Sequence, residues 1–119
     1  HHWQISHLGV IIPLADAYYQ SRHPEKICAN EKLMTLTAYR MKKNLKWIAQ
    51  KGMLCPAKLY MIKDMPTGML AGVLSRVYQS EFGNKFLYRH AMHAPEEFQR
   101  LHQEFYNYMK THTKESNKA

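Results

Sequence analysis

An apolar residue recurs every three or four positions across the middle of the chain, and this spacing constrains the fold more than any other feature. The residues in this stripe are Met34, Ala38, Met41, Leu45 and Ile48. Because an α-helix turns about 100° per residue, the spacing lines all five side chains along one helix face. Asn30 suits the N-cap position, Glu31 suits the first turn, and Gly52 suits the position after the last turn. The pattern predicts a helix over residues 31–51.

A second helix is indicated near the end of the chain. Pro95 followed by Glu96 and Glu97 is typical of a helix start, because proline fits the first helical position and acids favour the positive end of the helix dipole. Apolar residues then repeat at intervals of three, four and three, a helical spacing. They are Phe98, Leu101, Phe105 and Tyr108.

Two more segments carry weaker helical signals. Residues 68–82 place Leu70, Val73, Leu74 and Val77 on one side, and Gly83 with Asn84 is expected to end that helix. Gly72 weakens this prediction, because glycine is a poor helix former. A short helix is expected to begin at Pro13 and run to Arg22. The side chains that it would direct inward are Leu14, Ala15 and Tyr18.

These segments predict an all-α protein, a compact single-domain bundle of about four to five helices. A length of 119 residues is one domain's worth. We expect residues 1–110 to form the single helical domain and residues 111–119 to be a frayed tail. The alternative is an α+β fold with a small hairpin near residues 77–90, where Gly83-Asn84 would be the turn. Residues 58–62 and 86–92 fit either a helical turn or a strand.

The positive charge of the chain is concentrated in one segment. Residues 32–63 contain eight lysines and arginines and no acid, whereas the rest of the chain has nine bases and nine acids. The formal net charge of +8 therefore arises entirely within this segment. A concentrated positive field attracts phosphate backbones, anionic lipid surfaces or acidic protein faces.

Helical geometry places most of these cations on the side of the predicted helix opposite the apolar stripe. Two aromatic side chains share that face, and either ring is suited to stack on an unpaired base. We therefore predict a basic non-enzymatic protein that contacts nucleic-acid phosphates through helix 31–51 without base-sequence specificity, since no sequence-reading motif accompanies the cations. The predicted contact residues are Lys32, Tyr39, Arg40, Lys43, Lys46, Trp47 and Lys51.

Two other interpretations of the same face remain open. One is a protein-interaction module, such as an inhibitor, immunity factor or assembly subunit, which docks on an acidic protein partner. The other is structural: Leu33, Leu36 and Trp47 pack against a second layer of core, and the lysines are solvated edges. A membrane-surface role ranks below these, because a core explains the apolar stripe better.

Motifs for catalysis or metal binding do not occur in the sequence. No His or Cys spacing matches a metal site, no pair of acids has acid–base spacing, and no glycine-rich phosphate loop is present. We discount His1 and His2, because paired terminal histidines are typical of a purification tag. We expect no enzyme activity, no metal, no cofactor and no small-molecule ligand. No apolar run approaches the roughly 20 residues of a transmembrane helix.

Two cysteines, Cys28 and Cys55, flank the basic helix. About 20 helical residues span roughly 30 Å. The two short connections, each reaching at most about 10 Å, leave a gap beyond the roughly 7 Å that a disulfide bridges. An intramolecular disulfide is therefore disfavoured, and reduced thiols favour a cytoplasmic location.

Overall fold

The structure, a computed structural model, describes residues 2–53 and 55–111, and these two ranges are almost entirely helical. No strand occurs in them, so the predicted all-α single domain is confirmed and the hairpin at 77–90 is wrong. Apart from Thr111, the predicted tail lies outside the described residues. In chain order the elements are α1 (His2–Gln20), a 3₁₀-helix (Pro24–Ala29), α2 (Glu31–Gln50), α3 (Ala57–Ile62), α4 (Thr67–Gln79), a π-helix (Phe82–Leu87), α5 (Tyr88–His93) and α6 (Pro95–Thr111).

Helix α2 begins where the sequence predicts and ends one residue earlier, at Gln50. The side chain of Asn30 accepts a hydrogen bond of 3.0 Å from the backbone N–H of Leu33, which satisfies one of the donors left open at a helix start. Gly52 follows the last turn with a φ of 73°, a left-handed conformation that glycine adopts without steric cost. The residues of the apolar stripe, from Met34 to Ile48, are all buried. Burial of each of the larger side chains contributes roughly 1.5–3 kcal/mol.

Helix α1 is longer than predicted, because the chain passes through Pro13 without leaving the helix. Proline has no N–H, so the carbonyl of Gly9 one turn earlier loses its usual partner. Asn44 of α2 replaces that partner and donates a hydrogen bond of 2.9 Å from Nδ2 to the Gly9 oxygen. The helix therefore continues because a neighbouring helix satisfies the carbonyl that proline leaves open.

Helix α1 lies at the centre of the bundle and packs against α2, α5, α6 and the 3₁₀-helix. Its predicted inward residues, Leu14, Ala15 and Tyr18, are buried. Two tyrosines join α1 to the segment around α4. Tyr18 donates from its hydroxyl to the Gly83 oxygen at 2.8 Å, and Tyr78 donates to the Leu14 oxygen at 2.6 Å. Both buried hydroxyls are thus satisfied, as buried polar groups require.

The chain turns after α4 at Ser80, so the prediction that Gly83 ends this helix is wrong. Ser80 has an extended backbone, and its hydroxyl accepts a hydrogen bond from the N–H of Gly83. The chain then continues into the π-helix, which contains Gly83. A Cβ at this glycine would lie 2.3 Å from the carbonyl oxygen of Val77, so its role is to permit a close backbone approach.

Predicted core faces are confirmed in α6 and corrected in α4. In α6, Phe98 and Phe105 are buried, with Leu101 and Tyr108 partly buried. In α4 the inward face rotates toward Tyr78, leaving Val73 43% exposed instead of buried. Residues 58–62 and 86–92 are both helical. Within the described residues, no helix is long and apolar enough to cross a membrane.

Candidate functional site

Five of the seven predicted contact residues line a single open groove of about 830 Å³. They lie on its α2 wall, while α6 contributes His102, Phe105 and Tyr106, and α1 contributes Ile12. Lys32 and Lys51 do not line the groove, although they belong to the same helix and its end. The predicted residues in the groove are Tyr39, Arg40, Lys43, Lys46 and Trp47.

Aromatic rings from two helices meet in this groove. The ring centroids of Trp47 and Tyr106 are 5.7 Å apart at an interplanar angle of 71°, an edge-to-face contact. Trp47 also meets Phe105 edge to face at 6.2 Å, and His102 lies 5.6 Å from Tyr106. Trp47 is therefore half-buried. This agrees with the alternative interpretation in which Trp47 packs against a second layer of core. Tyr39 is 56% exposed at the α2 side.

One of the predicted cationic contacts, Arg40, forms an ion pair within the protein. Arg40 Nη1 lies 2.6 Å from Asp16 Oδ2 of α1, and both side chains are partly buried. This ion pair compensates the charge of Arg40 and fixes its guanidinium against α1. The sequence prediction did not anticipate the pair, because Asp16 lies outside the acid-free segment and meets α2 only after the helices pack.

Lys43 and Lys46 are exposed and form no ion pair with any acid in the described part of the chain. They lie three residues apart on α2, so their side chains are neighbours on one face. The groove lining itself contains no Asp or Glu. An anionic ligand in the groove would therefore meet two lysines that form no ion pair in the described residues.

The positive field of α2 extends beyond α3, where it acts on the carboxyl of Asp64. Lys63 Nζ lies 2.7 Å from Asp64 Oδ2, and this hydrogen bond lowers the pKa of the Asp64 carboxyl. Lys46 and Lys42 lower it further through their charges. Lysines from two helices thus act on the same side of the molecule.

Two α6 residues of the groove, His102 and Tyr106, were not predicted from the sequence. Phe105 was predicted as a core residue of α6, and Tyr106 follows it with 43% of its surface exposed. An exposed tyrosine beside a core phenylalanine was a signal available in the sequence. The packing of these side chains against α2 could not be predicted from the sequence, because more than 50 residues separate them from α2 along the chain.

Metal binding finds no support in the described residues, where no three His, Cys, Asp or Glu side chains converge. His90 instead lies against Phe86, with ring centroids 4.4 Å apart.

The two cysteines are free thiols, and burial raises the pKa of Cys55, although a hydrogen bond with Ser6 opposes that rise.

Comparison with known proteins does not indicate what this groove binds. Comparison with protein-family models, with curated proteins and with solved structures found no match for the chain. The function is therefore argued from the chemistry of the groove and its charges.

Proposed function

We propose that this protein is a non-enzymatic binding protein that contacts nucleic-acid phosphates through α2, without reading the base sequence. One observation carries the proposal: Lys43 and Lys46 line a groove without Asp or Glu in its lining, and neither forms an ion pair with an acid in the described residues. Cations in this state release counterions from a polyanion when they bind it. Phosphates are identical along the strand, so such contacts position a protein without selecting a sequence.

The predicted contacts are not equivalent in this proposal. Arg40 contributes less than the lysines, because its guanidinium is paired with Asp16. Lys32 and Lys51 lie on the same helical segment outside the groove, so they would add to the field at longer range. Lys43 and Lys46 are therefore the primary phosphate contacts in this proposal.

Binding of arbitrary-sequence single-stranded DNA or RNA, measured across a salt series, tests the proposal. Each lost phosphate contact reduces the slope of log K against log salt by about 0.7 for single strands. We expect Lys43→Gln with Lys46→Gln to weaken binding and to reduce that slope by about 1.4. A matched control is Lys26→Gln with Lys58→Gln, which removes the same charge from two exposed lysines that lie outside the groove and form no ion pair in the described residues.

Two outcomes would count against the proposal. If neither nucleic acid binds at low salt, nucleic-acid binding is ruled out. If the groove variant and the control variant change the slope equally, total charge governs binding and the assignment to Lys43 and Lys46 is wrong.

A protein-interaction module is the second candidate, and a separate observation favours it. Phe82 and Phe86 stack with centroids 5.1 Å apart while remaining 43% and 46% exposed. An exposed apolar pair of this kind is suited to contact a protein surface. An acidic partner would combine that contact with the field of α2. Affinity capture from the native host tests this candidate, and recovery of nucleic acid without any protein would oppose it.

We further propose a cytoplasmic location, on the basis of the two free thiols. Trapping thiols with an alkylating agent in intact host cells tests it. Alkylation of both Cys28 and Cys55 before any reductant is added is the expected result.

A further inference from the structure

We infer that the groove between α2 and α6 holds one unpaired base of a single nucleic-acid strand, while Lys43 and Lys46 contact its phosphates. The inference rests on the proposed function and narrows the ligand to single strands. In a duplex each base stacks on its neighbours, so a protein ring reaches a base face only when the base is unpaired.

The rings in the groove suit this ligand. Trp47, Tyr106 and His102 form a continuous series of ring contacts across the two helices. Tyr39 adds a further ring on the α2 wall and makes no ring contact of its own within the described residues. Aromatic rings beside a positively charged groove are the combination that proteins use to bind single strands without sequence preference.

The size and charge of the groove agree with the same ligand. Its volume of about 830 Å³ lies within the roughly 300–1,000 Å³ typical of ligand sites. Lys43 and Lys46 line the same groove as the rings, so a base and its phosphate can be bound together. An aliphatic anion would satisfy the two lysines but would gain no stacking from the rings.

Comparing the binding of a single strand, a duplex and a base-free polyanion distinguishes stacking on the rings from attraction by charge. We would use a Trp3→Phe background, in which Trp47 is the remaining tryptophan, and follow its emission. The ligands are a single-stranded DNA of about 12 nucleotides, the duplex of the same sequence, and inorganic polyphosphate. We expect the single strand to quench Trp47. We expect Tyr106→Leu to weaken single-strand binding by about 5- to 100-fold and to leave polyphosphate affinity unchanged.

Phe86→Leu is the matched control, because Phe86 is exposed to a similar extent as Tyr106 and lies outside the groove. It should bind the single strand as the parent protein does. If the circular dichroism of Tyr106→Leu shows lost helix, Tyr39→Leu replaces it, since Tyr39 is the more exposed ring.

The failures of the two proposals can be told apart. If duplex and single strand bind equally and Tyr106→Leu changes neither, the base site is overturned while phosphate binding stands. If no oligonucleotide and no polyphosphate binds, both proposals fall. Phosphatidylserine vesicles are added as a fourth ligand. If they quench Trp47 more strongly than the single strand does, the base site is also overturned and the groove is assigned to a membrane surface.

Discussion

At the scale of single residues, Gly83 and Gly72 show how differently two glycines act. A Cβ at Gly83 would meet the backbone of Val77 and Tyr78, whereas a Cβ at Gly72 meets nothing within 4 Å. Backbone atoms cannot move aside as a flexible side chain can. The absence of a side chain is therefore structural at one position and dispensable at the other.

We expect Gly83→Ala to lower the free energy of unfolding by about 3 kcal/mol through this overlap. Gly72→Ala serves as the control and should raise it by up to about 1 kcal/mol, because alanine is the better helix former. Urea denaturation followed by circular dichroism measures both changes. Equal effects of the two substitutions would contradict the close approach at Gly83.

Two buried tyrosines make the stability of the protein depend on pH in the alkaline range. Burial raises the pKa of Tyr18 to about 12, and it also raises the pKa of Tyr78. An unfolded tyrosine releases its proton near pH 10. Between about pH 10 and 12 the folded state therefore binds more protons than the unfolded state, and stability falls as pH rises. Below that window the contribution of the neutral phenol is fully present.

The urea midpoint should therefore decline between about pH 10 and 12. Tyr18→Phe should reduce the steepness of that decline, because phenylalanine has no proton to lose. The same variant should cost about 1 kcal/mol at neutral pH, where it removes the hydrogen bond to Gly83. A decline as steep as that of the parent protein would show that Tyr18 does not contribute to it.

At the scale of elements, the continuity of α1 depends on α2. Pro13 leaves the Gly9 carbonyl without its helical donor, and Asn44 supplies one. Asn44→Ala should therefore lower the free energy of unfolding by about 1–2 kcal/mol. Pro13→Ala provides a backbone N–H that can satisfy the same carbonyl.

A double-mutant cycle tests this dependence. In the Pro13→Ala background, Asn44→Ala should cost about 1 kcal/mol less than it does in the parent protein. Additive costs from urea denaturation would show that the two positions act independently. The cycle would then attribute the continuity of α1 to its packing alone.

At the scale of the whole molecule, α2 separates the two thiols. Its 20 residues extend about 30 Å, with Cys28 before its start and Cys55 after its end. We expect mild oxidation of the native protein to yield no intramolecular disulfide. Mass spectrometry after alkylation under denaturing conditions should find both cysteines modified. A mass lower by two hydrogens, with neither cysteine alkylated, would require α2 to be broken.

The α2–α6 groove also belongs to this scale, because no element forms it alone. Helix α6 packs on α1 and reaches α2 through the rings of Phe105 and Tyr106. Five of the seven predicted contact residues line the groove on its α2 side, and their role in binding stays a prediction. The second wall of the groove was not predicted, since its residues lie on a distant helix.

The sequence by itself determined the helices whose signals are local. The apolar stripe of α2, with Asn30 and Gly52 at its ends, and the Pro95 start of α6 follow from side-chain spacing and capping within a few residues. Tertiary packing decided the passage of α1 through Pro13, the pairing of Arg40 with Asp16, and the aromatic wall facing Lys43 and Lys46. These features depend on how the helices are rotated and placed against one another. That placement is specified jointly by residues that lie far apart along the chain.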